Sequence, residues 1–306
     1  MRVTATTVSD RIVHDLARDL AAIARQQSLI ASGRRMQTPA DDPGGAAQAL
    51  AITSRQRASE QFRRNIDAVR ATLTSVDGTL RSALDGLTRV KEIAVQGAND
   101  SNDAQARQSL GQEIDQALEG LVSIANGRGP TGTALFGGQE TTSDPYTVTR
   151  DVQGRITAVT PNVRGITGAT PAEVADGLTV DTSMPGTAVF GAPTDPTYAF
   201  NVLISLRDAL LAGDGVTVRA SLDDVSALLD RATVASTVVG SRLGWLDTVE
   251  SRHKDDDVTR AQALSKVQDL DFPAAIESLT QMQTFYQAGL AAGARILQQS
   301  LLDFLR

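Results

Sequence analysis

Cysteine is absent from this 306-residue chain, and histidine occurs only at His14 and His253. The first absence excludes disulfides and thiolate metal sites. The second leaves little raw material for imidazole catalysis or a His-based metal site. Aromatic residues make up 4% of the chain, with one Trp. A large globular enzyme core draws on more aromatic bulk, so the abundant Ala and Leu favour slim, closely packed helices. Basic residues are outnumbered, 29 Lys and Arg against 36 Asp and Glu, for a net charge of -7 and a pI near 4.9. That balance argues against nucleic acid as the main partner, because phosphates need an excess of cations. No run of about 18 apolar residues occurs, so no membrane-spanning helix is expected. The opening residues, MRVTATTVSDRIVHDL, lack the apolar core of a secretory signal. The expectation is a protein that stays in the cytoplasm or leaves by a route without a cleaved signal.

What is present is heptad periodicity. From about Val3 to Ser32, Leu16, Ile23 and Ile30 recur every seven residues with Ile12 and Leu20 beside them, a narrow helical stripe that Gly33 is placed to stop. From Gly45 to Ala98 the pattern is stronger. Phe62, Val69, Val76, Ala83 and Val90 form one register, and Ile66, Leu73, Leu80, Leu87 and Ala94 the other. An a/d pattern sustained this long marks a coiled-coil seam, and about 50 helical residues would span ~75 Å. After NDSNDAQ a shorter helix is expected over Ala104 to Ala125, with Leu110, Ile114, Leu118, Leu121 and Val122 inward and Asn102 or Asp103 as its cap.

Between Asn126 and Phe200 the composition shifts, with seven of the ten prolines. YTVTRDVQGRITAVT (Tyr146 to Thr160) reads as a hairpin, and GLTVDTSMPGTAVF (Gly177 to Phe190) as another short β piece. Heptads return from Leu222 to about Val258, through Val225, Ala232, Val239 and Leu246, with Leu222, Leu229 and Leu243 beside them. Pro273 forces a break or a new start. A last helix follows to Phe304, with Ile276, Leu290, Leu297 and Phe304 on one line. The fold expected is mainly α: a long antiparallel coiled-coil rod made from both chain ends, with a small β-rich insert at the distal tip.

Each candidate for chemistry has a plainer reading. Asp41 and Asp42 in SGRRMQTPADDPGG are adjacent carboxylates suited to acid/base work or a hard cation. Flanked by Pro39 and Pro43, they read better as turn and capping groups. Asp255, Asp256 and Asp257 lack the alternation and glycine bend of a calcium loop and read as a solvated helix face. His253 continues the Val225–Leu246 line and ends the seam; His14 has no evident partner. Gly137-Gly138 is not spaced as a phosphate cradle. Arg34 and Arg35 make a small basic spot. The terminal stripes suit helix–helix packing rather than a membrane surface, which would want interfacial Lys, Arg and Trp. Four or five buried side chains at ~1.5–3 kcal/mol each barely offset ordering about 30 residues at ~1 kcal/mol or more each. The terminal helices are therefore expected to order when partner helices cover them.

SGRRMQTPADDPGG resembles the SG-x-R-x-x-x-P-(A/S)-DDP turn of the flagellin family. VQDLDF, Gln287–Gly289 and LQQSLLDFL resemble the family's closing pattern, and VGSRLGWL (Val239 to Leu246) its VG-(A/S)-R stretch, although Trp245 stands where a polar residue is common. ALFGGQETTSDPY and VDTSMPGTAVFG resemble the branch that forms the hook–filament junction. The resemblance covers about the first 140 and last 70 residues.

It implies a structural, non-enzymatic flagellar subunit without cofactor or metal. Such a subunit would be exported unfolded through the flagellar type III apparatus to an extracellular position in the flagellum. Its expected partners are a homo-oligomeric ring, a hook-side hook-associated protein, flagellin, and an export chaperone on the C-terminal helix. No nucleic acid or membrane partner is expected.

The organisation expected is an N-terminal assembly helix and elbow (1–44), a long rod helix and return helix (45–126), the β insert (127–200), a C-terminal rod helix (201–262) and a C-terminal assembly helix (263–306). Assembly would fall to Ile12, Leu16, Ile23, Ile30, Leu290, Leu297, Leu301 and Phe304. The elbow would be Gly33, Arg34, Pro39, Asp41, Asp42 and Pro43, and the rod seam Phe62, Ile66, Val69, Leu73, Val76 and Leu80. A short filament flagellin is the alternative within the family; a soluble helical signalling protein or enzyme is the alternative outside it.

Overall fold

The computed structural model describes residues 5–99, 101–162 and 166–304, with side chains from 10 to 295. Among the described residues seven helices and four short strands follow one another: α1 (Ala5–Ser32), α2 (Pro43–Gly97), α3 (Ala104–Ala125), β1 (Tyr146–Arg150), β2 (Ile156–Pro161), β3 (Pro171–Ala175), β4 (Leu178–Asp181), α4 (Gly186–Phe190), α5 (Ala199–Ala212), α6 (Gly215–Gln268) and α7 (Phe272–Phe304). The chain divides into two compact units, one formed by 1–58 with 255–306 and the other by 59–254.

In the central unit the heptad residues do what their spacing requires. Ile66, Leu73, Val76, Leu80 and Ala83 on α2 are fully buried, as are Val225, Ala232, Val239 and Leu246 on α6. The two helices run antiparallel. Arg70 reaches Asp247 at 2.8 Å and Glu250 at 2.6 Å, while Arg219 near the start of α6 donates to the Ala98 carbonyl at 3.0 Å. Lys254 and Arg70 together pull the Glu250 carboxyl down to about 2. Asp103 caps α3, its carboxylate accepting from Ala106 N at 2.7 Å. The α3 face that the sequence marked as inward is buried and packs on α5.

The insert has two antiparallel hairpins, β1–β2 and β3–β4. The first packs on α3 and α5. There the nearly buried Arg207 bonds Asp115 at 2.9 Å and the Ile156 carbonyl at 2.7 Å. The scarce aromatics gather behind it: Phe136, Tyr146, Phe190, Tyr198 and Phe200 lie with ring centroids 5.1 to 5.6 Å apart.

Two details differ from expectation. The segment Gly177–Phe190 is only half β, because Pro185 with φ −63° leads into α4, which buries Val189 and Phe190 in the aromatic cluster. The insert also lies along the helices of its unit rather than at their tip. Asn65 Nδ2 donates to the Glu173 carbonyl and His253 Nε2 contacts the Val174 carbonyl, each at 2.8 Å. The end of the unit is taken by turns instead, where Arg107 ties the Gly97 carbonyl to the Gly213 carbonyl.

Candidate assembly surfaces

In the terminal unit α1 and α7 lie antiparallel. A Cβ added at Gly293 would come within 3.0 Å of Ile12, and one at Gly289 within 3.3 Å of Leu16. Further along, Gln26 donates to the Ala275 carbonyl at 3.2 Å. The two glycines let the α1 stripe approach the α7 backbone closely. Ile12, Leu16, Ile23 and Ile30 thus face α7 of their own chain, with Ile23 buried and the others half-buried.

The side chains left open lie beside that seam. Val13 and Leu20 on α1 are more than half exposed, as are Ile276 and Phe285 on α7, and Leu290 is 46% exposed. By helical geometry Ile276 and Leu290 flank the α1-facing stripe on one side and Phe285 on the other. Of the expected assembly residues, Leu290 is open and the α1 set is engaged within the chain. The side chains of Leu297, Leu301 and Phe304 lie outside the described residues. Val13 and Phe285 fall off the dominant heptad lines, which is why periodicity did not single them out, whereas Leu20 was read as part of the α1 stripe and stands open.

The elbow between α1 and α2 is a web of backbone hydrogen bonds. Gly33 takes φ +66°, a left-handed conformation that ends α1 and that other residues rarely adopt. Its carbonyl accepts from Leu270 N at 3.0 Å, Arg34 bridges Asp269, and Arg35 N donates to the Gln268 carbonyl at 2.8 Å. The Asp41 carboxylate accepts from Thr38 N at 2.9 Å and Gln37 N at 3.0 Å and pairs with Arg25. Those two N–H donors, with Arg25, hold it below the usual carboxylate range. Asp42 is the N-cap of α2, accepting from Gly45 N at 2.9 Å, and binds Arg35 at 2.7 Å. Gly45 and Arg35 lower its pKa likewise. Pro43 occupies the first helical position, where its missing N–H costs nothing. A Cβ at Gly45 would collide with the Asp42 carboxylate at 2.5 Å. Both aspartates are therefore spent on holding the turn. A groove of about 470 Å³ opens beside it, over the buried Met36 and Ala49, walled by Pro39, Pro43 and the exposed Leu50.

The remaining candidates have local partners. Asp256 and Asp257 pair with Arg260 at 3.0 and 3.2 Å. His253 is buried; Phe62 stacks on it at 5.8 Å, and Ser59 lies 3.4 Å from Nδ1. The His253 Nε2 of this Ser–His pair is committed to a backbone carbonyl. Among the described residues no three His, Asp or Glu side chains gather to hold a metal ion, and no helix is long and apolar enough to cross a membrane.

Residues 8–141 match the family model for the bacterial flagellin N-terminal helical region. Flagellar hook-associated protein 3 of Escherichia coli (strain K12) is 22% identical over 279 residues, 86% of each chain. Its namesake in Salmonella typhimurium is 21% identical over 100% of both. The crystal structure of flagellar hook-associated protein 3 from Legionella pneumophila, at 17% identity, superposes with a TM-score of 0.62 over 71% of this chain and 98% of that one, which establishes the fold. Phase 1 flagellin of Salmonella naestved, by contrast, is 27% identical over only 37% of this chain and 22% of its own length. Residues 8–141 are thus similar to the bacterial flagellin N-terminal helical region, and the chain over its whole length is similar to flagellar hook-associated protein 3.

Proposed function

We propose that this protein is a structural, non-catalytic subunit of the bacterial flagellum that joins hook to filament. The single observation that carries the reading is the end-to-end match to hook-associated protein 3, where flagellin matches only in part. Copies would form a ring through the terminal unit, using Leu290 with Val13, Leu20, Ile276 and Phe285, all open in one chain. The elbow would hold the turn between α1 and α2 within that unit. Neighbours on either side would be a hook-associated protein and flagellin. Export through the flagellar type III route is supported by the absence of cysteine, since no disulfide has to be undone for an unfolded chain to pass. A chaperone would cover the open apolar side chains of α7 until assembly.

Immunogold electron microscopy of detached flagella, with an antibody to the β insert, tests the reading. A single band of label at the hook–filament boundary is expected. Label along the whole filament would instead make the protein a short filament flagellin.

A further inference from the structure

Trp245 is the chain's only tryptophan, and it lies off the a and d lines of α6. It is half-buried against the core cluster and lines an open cleft of about 370 Å³ with Ser241 and Arg242 of α6 and Thr179, Val180 and Asp181 of β4. We propose that this cleft binds an uncharged pyranose sugar, a role that goes beyond the junction function and does not depend on it.

The argument rests on what the polar groups leave undone. Thr233, Thr237 and Thr248 on the same helix return their hydroxyls to the carbonyl four residues back. Among the described residues the Ser241 and Thr179 hydroxyls and the Trp245 indole N–H make no hydrogen bond within the protein, and all three residues line the same cleft. Arg242 Nη2 donates to Asp181 Oδ2 at 2.8 Å and Nη1 only weakly to the Ser183 carbonyl at 3.5 Å. The pair thus keeps a carboxylate oxygen and guanidinium N–H groups for a ligand.

An aromatic plane beside alternating donors and acceptors suits a ring with an apolar C–H face and a rim of hydroxyls. The Asp181–Arg242 pair is charge-balanced, and its unit is acidic, which disfavours sugar acids and phosphates. The cleft is open, so affinity is weak, in the millimolar range typical of about −4 kcal/mol.

The single Trp makes the test direct. The full chain is titrated with methyl β-D-glucopyranoside and with N-acetylglucosamine while Trp245 emission is followed. Saturation-transfer NMR is run in parallel, because it also reads variants lacking the indole. A saturable emission change is expected with at least one sugar. Arg242→Ala and Asp181→Asn should each weaken binding about tenfold, as loss of a hydrogen bond to a charged group does. Trp245→Phe should keep its circular dichroism spectrum and lose the transfer signal. Ser241→Ala leaves the ion pair and hairpin untouched and should weaken binding about threefold. A response that stays linear with both sugars overturns the proposal, as does transfer unchanged in Trp245→Phe and Ser241→Ala. Tighter binding of glucuronate than of the neutral glycoside overturns the assignment to uncharged sugars.

Discussion

The two units of the chain share long helices and little else. The terminal unit, 1–58 with 255–306, contains 12 basic and 12 acidic residues, leaving 17 of the 29 basic and 24 of the 36 acidic residues for the central unit. The whole net charge of -7 therefore falls on the central unit. Burial divides the other way. Among the described residues the terminal unit buries only Ile23, Met36, Ala49 and Ala275 of its hydrophobics, while Val13, Leu20, Phe272, Ile276, Phe285 and Leu290 stand open. The central unit buries a continuous seam, two helices on its flank and an aromatic cluster. A neutral surface of open apolar side chains can meet copies of itself without charge repulsion, whereas an acidic, self-sufficient body gains little from doing so. The difference teaches that one chain combines a unit that covers its own apolar face with a unit that leaves much of its apolar face open.

The sharpest way to break that comparison is to place a charge in each unit. Leu73→Asp puts an unpaired carboxylate in the fully buried seam and should cost about 3–5 kcal/mol, read as a large drop in the urea midpoint by circular dichroism. Leu290→Asp should leave that midpoint unchanged and abolish ring assembly in sedimentation. If Leu290→Asp assembles normally, the open α7 side chains are not the interface.

Next in size is Gly293→Leu, which drives a side chain into Ile12 and should wedge α1 from α7. Faster tryptic cleavage after Arg18 and Arg25, with the urea midpoint of the central unit unmoved, is expected. Cleavage at the wild-type rate would mean that the close approach is dispensable.

The elbow should respond to acid. Its aspartates have pKa values below those of an unfolded chain, so their contribution is fully present above the ordinary carboxylate range and is lost as pH falls through the lowered values. Assembly followed across that window should weaken on acidification. Asp41→Asn with Asp42→Asn should already be weak at neutral pH and show less further loss; an unchanged acid response would move the titration elsewhere.

The smallest effect belongs to Tyr146→Phe. The Tyr146 hydroxyl is buried without a partner, and burial pushes its pKa up. Removing it should leave stability equal or raise it by about 1 kcal/mol in thermal melts. A clear loss would reveal a bond that the hydroxyl makes.

Much of this was legible in the sequence, and the limits are physical. Period told which residues share a face: Ile66, Leu73 and Leu80 are buried because a sustained a/d seam has one way to lie. Period does not tell what covers a face. Ile12 and Leu16 read as a stripe for neighbours, yet Gly289 and Gly293, far along the chain, draw them onto α7. Turn chemistry is local, so Asp41 and Asp42 could be read as holding a bend rather than an ion. The placement of the insert was not readable, because it depends on Asn65 and His253 meeting carbonyls more than a hundred and nearly eighty residues away. The short α4 was missed because a five-residue apolar segment carries no period.

Hydrogen exchange by mass spectrometry, on the free full-length chain and on the assembled ring, tests the central claim most directly. The account predicts that amides of α1, the elbow and α7 exchange much faster than those of 66–94 and 225–249 in the free chain, and become protected on assembly while the seam does not change. Terminal helices as protected as the seam before assembly, or no gain on assembly, would contradict it.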